Sequence, residues 1–181
     1  MIVHQKTYGC PSEDVEMNVW SYILDSIDEA EEAEAEAAHA LVQPAIGISL
    51  GTTCKASMIG VKMGVRGIKS EGYQTCPFDL MLSNYDGVVE CLREDFKYMT
   101  DSRYLVLGTD RVVRNTYYNF TFFHESPSYY AYTVFKNRRW ANGETHFVDN
   151  DFLLLKERYQ HRIEALRAYL RSGRRVLFVM D

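Results

Sequence analysis

Two residues in the sequence have the type and the placement that catalysis by a thiol requires. Cys54 follows a short apolar run, residues 46–50, and a Gly-Thr-Thr turn, and it opens a segment with a helical pattern. Backbone N–H groups at a helix N-terminus point towards such a sulfur and favour its thiolate form. His124 stands at the end of an aromatic stretch, residues 117–123, that is typical of a strand. The simpler interpretations are that Cys54 fills a gap in the core and that His124 caps an aromatic cluster.

Five short motifs that include these two residues follow one another along the chain. They are Ser49-Leu50-Gly51-Thr52-Thr53-Cys54, Pro77-Phe78-Asp79, Phe123-His124, Tyr159-x-x-Arg162-Ile163 and Val176-Leu177-Phe178-Val179. Together and in this order, they resemble the putative papain-like cysteine peptidases, a family of bacteria and large DNA viruses. The resemblance covers about residues 46–181.

The resemblance implies an α+β fold with a papain-like core. In such a core, the helix that carries the nucleophile packs on a small, mostly antiparallel sheet. It also implies that Cys54 is the nucleophile, that His124 is its base, and that the substrate is a peptide or another amide. Thiol-dependent hydrolysis or acyl transfer would follow.

Several positions depart from the family pattern. An aromatic residue usually follows Pro-Phe-Asp, whereas Leu80 stands here, and an aspartate usually follows the histidine, whereas Glu125 stands here. Papain itself has an oxyanion-hole glutamine six residues before its cysteine, at the position of Ile48. The oxyanion donors would then be the Cys54 backbone N–H and a group that the sequence does not identify.

The acidic residue that would orient the imidazole has more than one candidate. Asp79 and Asp181 are the two leading candidates, and Asp149 and Asp151 also follow His124 in the chain, as Asp181 does. Asp79 could instead be an N-cap or a turn residue, because aspartate is common at both places.

Two alternative functions remain open. The first is a catalytically silent papain-like module that serves binding or assembly in a larger or viral protein. The second is a metal-dependent glycosyltransferase-like fragment, since Asp149-Asn150-Asp151 is a D-x-D pattern that can hold a divalent cation. Helix N-capping by acidic residues explains that pattern more simply. A basic-aromatic cluster, Lys136 with Arg138-Arg139-Trp140, could hold a phosphate but is more simply a solvated loop.

Composition narrows the class of protein. With 181 residues, 46% of them hydrophobic, the chain can form one domain with a core. A net charge of -5 argues against a nucleic-acid partner, and no apolar run is long enough for a membrane span. Metal-ligand spacing is absent among the four cysteines, which are Cys10, Cys54, Cys76 and Cys91, so we expect no bound metal and no other cofactor. We expect these thiols to be reduced and the protein to be cytoplasmic. The oligomeric state stays open.

The hydropathy pattern predicts two regions. Residues 1–45 form an N-terminal helical arm, with an apolar stripe in 13–27 and an Ala/Glu-rich stretch in 28–40. Residues 46–181 form the peptidase-like domain. Its predicted helices are 54–63, 86–99 and 151–171, and its predicted strands are 46–50, two within 103–123, 129–135 and a buried central strand at 175–180. Because a central strand rarely ends a domain, we expect the chain either to be truncated at its C-terminus or to be the first domain of a longer polypeptide.

Overall fold

The structure is a computed structural model that describes residues 45–134 and 139–180. The predicted arm lies outside these ranges apart from residue 45, and Asp181 lies outside them too. Cys10, Lys136 and Arg138 are likewise outside the described residues.

Helices and strands alternate irregularly along the described part of the chain. The helices are α1 (Cys54–Lys62), α2 (Tyr85–Arg93), α3 (Pro127–Val134) and α4 (Asp149–Leu170). The strands are β1 (Ile46–Gly51), β2 (Leu105–Leu107), β3 (Val113–Asn115), β4 (Phe120–Thr121) and β5 (Val176–Met180). Short 3₁₀ turns occupy Lys69–Glu71, Phe123–Glu125 and Gly143–Thr145. The fold is α+β, as predicted.

The strands form two separate sheets. β2, β3 and β4 make the small antiparallel sheet that was expected, whereas β1 and β5 form a parallel pair with Ile48 opposite Phe178. Helix α1, which begins at Cys54, packs on β1 and β5. The sheet beneath the Cys54 helix is therefore the parallel one.

The prediction that residues 175–180 form a buried central strand is wrong in part. β5 does form, but its only pairing among the described residues is with β1. Leu177 is 47% exposed and Phe178 is 45% exposed. The apolar run indicated a strand correctly, while its burial depends on neighbours that a local pattern does not specify.

Two further element predictions need correction. Residues 129–135 were expected to be a strand, but α3 covers this region up to Val134. Pro127 occupies the first helical position, where its fixed φ suits a helix and its missing N–H costs nothing.

Helix α2 ends at Arg93, whereas the sequence predicted that it continues to residue 99. It ends early because Asp95 and Phe96 have φ values of 50° and 64°. Such left-handed residues interrupt a right-handed helix.

A continuous aromatic core joins α4 to the antiparallel sheet. Phe122, just after β4, meets Tyr159 of α4 edge-on, with ring centroids 4.7 Å apart. Phe78 packs in the same way on Phe120, at 5.8 Å. Among the helices of the described ranges, none has the length and apolar character needed to cross a membrane.

Candidate functional site

Cys54 occupies the helix position that the sequence predicted. Thr53 is the N-cap of α1, with extended backbone, and its Oγ1 accepts a hydrogen bond from the Lys55 N–H at 3.1 Å. Cys54 is therefore the first helical residue, and its N–H belongs to the first turn, where backbone donors have no acceptor within the helix. The thiol is free and half-buried. This arrangement places a half-buried cysteine beside the backbone donors of the first helical turn.

One loop is hydrogen-bonded both to the residues just before α1 and to β4, the strand that precedes His124. The Ser83 N–H donates to the Thr52 carbonyl at 3.1 Å, and the Ser83 Oγ donates to the Leu50 carbonyl at 3.0 Å. One residue earlier, Leu82 exchanges two backbone hydrogen bonds with Thr121 of β4. The segments that carry Cys54 and His124 are thus both hydrogen-bonded to residues 82–83.

His124 lies in the 3₁₀ turn immediately after β4, close to the strand end where the sequence placed it. Its ring packs on Tyr129, with centroids 4.4 Å apart, and on Phe123 at 6.1 Å. Burial lowers the pKa of His124 below its usual value, and the charge of Arg162 lowers it further, whereas Glu125 raises it. Its imidazole is therefore neutral at neutral pH and able to accept a proton.

No recorded interaction joins the two predicted catalytic residues. Across the described ranges, no hydrogen bond links the Cys54 sulfur to the His124 ring, and His124 lines a pocket whose lining does not include Cys54. Their assignment as a catalytic pair stays a prediction.

Asp79 is buried in a polar cluster of its own. Its Oδ2 accepts hydrogen bonds from Arg66 Nη2 at 3.0 Å, from Tyr73 Oη at 3.0 Å and from the Cys76 N–H at 2.8 Å. Burial and the Asp79 charge raise the pKa of Tyr73, which keeps its phenol protonated as a donor. Oδ1 of Asp79 is buried without a hydrogen-bond partner.

This cluster does not include His124 among the described contacts, so a role for Asp79 in orienting the imidazole stays a prediction. The alternative role that the sequence allowed, a turn residue, fits the backbone: the Asp79 N–H donates to the Cys76 carbonyl at 3.3 Å. Asp181, the other candidate, lies outside the described residues.

A second buried cluster was missed by the sequence analysis. Glu125, directly after His124, is fully buried, and its Oε1 accepts from Arg162 Nη2 at 2.9 Å and from Arg158 Nη1 at 3.2 Å. Its Oε2 accepts from Tyr159 Oη at 3.3 Å. Burial and Glu125 raise the pKa of Tyr159, so this phenol remains a donor. A signal was present, because Arg162 interrupts the apolar stripe of α4.

The two clusters border a pocket of about 590 Å³. Its lining includes His124, Glu125, Arg158 and Arg162, together with aromatic rings of Tyr73, Tyr129 and Trp140. Cavities of this size with a few convergent polar groups are the usual form of ligand sites.

Residues 46–181 match the model of the family described as putative papain-like cysteine peptidase. The chain belongs to this family. The match starts at the first residue of β1 and includes Cys54, Asp79 and His124. No curated protein and no solved structure matches the chain.

The D-x-D pattern of this papain-like family member is engaged in local contacts. Asp149 accepts from Thr145 Oγ1 at 2.9 Å, and Asp151 accepts from Lys156 Nζ at 2.7 Å and from Ser102 Oγ at 2.5 Å. No group of three or more potential ligands that could hold a metal is present in the described part of the chain.

The local geometry has the acidic first turn that the capping interpretation expected, but neither aspartate is the N-cap of α4. The N-cap of α4 is Val148, which makes no side-chain cap, and both aspartates lie in the first turn, where residues 150–152 have positive φ. The basic-aromatic cluster is described only in part, and its Trp140 lines the pocket beside His124.

Proposed function

We propose that this chain is a thiol-dependent hydrolase of peptide or related amide bonds, with Cys54 as nucleophile and His124 as base. The observation that carries the proposal is the position of Cys54: a free, half-buried thiol at the first residue of a helix that follows a strand, in a member of this peptidase family. Helix N-termini stabilise a thiolate.

The chemistry would proceed in two steps. His124 takes the proton from Sγ of Cys54, the sulfur attacks the amide carbonyl carbon, and the returned proton leaves with the amine. Water then cleaves the resulting thioester with His124 as base, which releases the carboxylic acid and restores the thiol. The Cys54 N–H would donate to the oxyanion.

Thiol alkylation tests this pair without knowledge of the substrate. Intact protein is treated with iodoacetamide between pH 6 and 9, and labelling at each cysteine is followed by mass spectrometry. We expect Cys54 to be labelled before Cys76 and Cys91, because burial raises the pKa of Cys76 to about 12 and also raises that of Cys91. Since both of those thiols are fully buried, their slowness alone does not establish catalysis.

The decisive comparison is the alkylation rate of Cys54 in His124→Gln against its rate in the parent protein. If His124 activates the thiol, this variant slows labelling of Cys54 near neutral pH by about tenfold, as expected when a thiolate loses its paired base. His146→Gln is the matched control, because His146 is also partly buried among aromatic rings but does not line the pocket. Equal rates in the parent protein and in His124→Gln would remove His124 from the mechanism.

A specific observation also supports the catalytically silent module as a second candidate function. Cys54 and His124 share no recorded interaction in the described ranges, and the pocket beside His124 does not reach Cys54. For a silent module, we expect ordinary thiol reactivity at Cys54 that is insensitive to His124→Gln. The same labelling series therefore separates the two candidates.

Two finer parts of the proposal have their own support. Free thiols at Cys54, Cys76 and Cys91 fit a cytoplasmic location.

Asp79 and Asp181 remain the proposed orienting acids, and NMR titration of His124 in Asp79→Asn and Asp181→Asn tests them. Because a nearby negative charge raises a histidine pKa, only loss of the orienting acid should lower the pKa of His124.

A further inference from the structure

The pocket beside His124 has an excess of positive charge in a protein whose net charge is -5. Its described lining contains three permanent cations, Lys69, Arg158 and Arg162, and a single carboxylate, Glu125. Glu125 accepts hydrogen bonds from both arginines, so within the described lining one carboxylate faces three cations.

The two arginines of this lining differ in how far a ligand can reach them. Arg162 is 8% exposed, and its Nη2 is bonded to Glu125, but its Nη1 is buried without a hydrogen-bond acceptor. Because Nη1 is fully buried, a ligand in the pocket does not reach it, and Asp79, whose Oδ1 is also buried without a partner, is among the charges that raise the pKa of Arg162. The guanidinium that a ligand in the pocket can reach is that of Arg158, whose side chain is 40% exposed. The acceptor that suits a guanidinium best is a carboxylate or phosphate oxygen.

Both guanidinium groups are held in place by aromatic rings. The Arg158 guanidinium lies over the Phe147 ring at 4.1 Å, and the Arg162 guanidinium lies over the Tyr159 ring at 4.6 Å. Arg158 and Arg162 are also one helical turn apart on α4. The cations are therefore fixed before a ligand arrives, which reduces the entropy lost on binding.

We propose that this pocket binds a carboxylate group of a peptide, with the Arg158 guanidinium as its donor and with Arg162 and Lys69 as further cations of the lining. The inference deepens the proposed function, on which its choice of a peptide ligand rests, by assigning peptides that present a carboxylate as the substrate class. The walls formed by Tyr129 and Trp140 would cover the apolar part of the bound residue.

Binding is measured in full-length Cys54→Ala, which cannot turn the ligand over. The probes are three tetrapeptides with blocked N-termini, built from alanine around one variable position. The first carries glutamate there with an amidated C-terminus, the second carries glutamine with an amidated C-terminus, and the third carries glutamine with a free C-terminal carboxylate. Calorimetric titration gives an affinity for each, and inorganic phosphate is titrated as a fourth probe.

We expect at least one carboxylate peptide to bind about tenfold more tightly than the neutral peptide, the usual scale for one charge-assisted contact. The first and third probes distinguish a side-chain carboxylate from a C-terminal one. Equal affinities for all three peptides, or no binding by any of them, would overturn the proposal. Binding of phosphate with no preference for either carboxylate peptide would also overturn it.

Substitutions of lining residues test which side chains bind the peptide carboxylate. Arg158→Gln should abolish most of the preference for the carboxylate peptide, while Arg171→Gln, an exposed arginine outside the pocket, should keep it. Lys69→Gln should weaken the preference by about threefold through reduced charge, and Lys62→Gln is its exposed control. Both pocket variants leave the Arg162–Glu125 pair intact, although Arg158→Gln removes one hydrogen bond to Glu125. A cooperative thermal melt of each variant, followed by circular dichroism, verifies that it is folded before binding is compared.

This test is independent of catalysis. If His124→Gln fails to slow alkylation of Cys54 but the carboxylate preference depends on Arg158, the hydrolase proposal fails and the pocket assignment stands. If alkylation depends on His124 but no carboxylate preference is found, the pocket assignment fails and the hydrolase proposal stands.

Discussion

Arg162 and Glu125 form a buried ion pair in which Nη2 donates to Oε1 at 2.9 Å, with side chains only 9% and 0% exposed. Glu125 directly follows His124 in the chain, and Arg162 lies in the middle of α4. The pair therefore attaches the His124 turn to the longest helix of the described residues, and both of its members line the same pocket as His124.

Removing the negative charge of Glu125 should destabilise the fold. In Glu125→Gln, two guanidinium groups lose their counter-charge inside the protein, and breaking a buried pair in this way costs about 3 kcal/mol or more. Urea denaturation followed by circular dichroism measures the change in the free energy of unfolding. The exposed Glu157 supplies the control, since Glu157→Gln should change it by less than about 0.5 kcal/mol. Equal stability of the two variants would contradict a structural role for the pair.

Asp79→Asn should also lower the free energy of unfolding, by about 2–3 kcal/mol. The Asp79 Oδ2 accepts from Arg66, Tyr73 and the Cys76 N–H, and a neutral amide cannot replace a charged acceptor for the buried guanidinium. Asp86→Asn in the exposed first turn of α2 is the control, with an expected loss of about 0.5 kcal/mol. A stability loss no greater than that of the control would show that the cluster contributes little.

Gly87→Ala should destabilise the protein although alanine is the better helix former. A Cβ on Gly87 would overlap the Tyr118 carbonyl oxygen and lie 2.9 Å from the Phe120 ring. Overpacking of this kind costs about 1–3 kcal/mol, which exceeds the gain of up to about 1 kcal/mol in helix propensity. Gly60→Ala in α1 is the matched control, because its Cβ would approach only the Arg66 side chain, at 3.2 Å. The melting temperature of Gly87→Ala should therefore be lower than that of Gly60→Ala. The reverse order would contradict this packing.

The pH dependence of stability should report on His124. Burial lowers the pKa of His124 in the folded state below its ordinary value of 6.5, so the unfolded chain binds the proton first as the pH falls. Its contribution to stability is therefore present above about pH 6.5 and is lost below it. The free energy of unfolding is measured by urea denaturation at pH 7.5 and at pH 5.5. We expect it to fall less between these two pH values in His124→Gln than in the parent protein. His161→Gln, at an 81% exposed side chain, should leave the loss unchanged.

Deletion of residues 1–44 should leave a cooperatively folding domain. The family match begins only at residue 46, and the Ala/Glu-rich stretch within 28–40 has little apolar surface to bury. The measurement is the thermal melt of the shortened chain against the full one. A broad, non-cooperative melt would show that the N-terminal residues belong to the core.

Local sequence determined where the nucleophile candidate lies. The apolar run, the Gly-Thr-Thr turn and the N-cap Thr53 act on residues within a few positions of one another, so they define β1 and the start of α1 without distant contacts. The same holds for α4, whose apolar stripe repeats with helical spacing up to Leu170. The family and the α+β class follow from such motifs in their order along the chain.

The tertiary structure decided which groups meet. Glu125 and Arg162 are separated by 37 positions, and no local pattern states that a carboxylate after His124 reaches a guanidinium on α4. The same limit explains β5, whose apolar sequence indicated a buried strand while Phe178 is exposed. Hydrogen bonds and caps within an element depend on neighbouring residues, whereas burial and charge pairing depend on the path of the whole chain. That path brings two arginines, one glutamate and His124 to a single pocket.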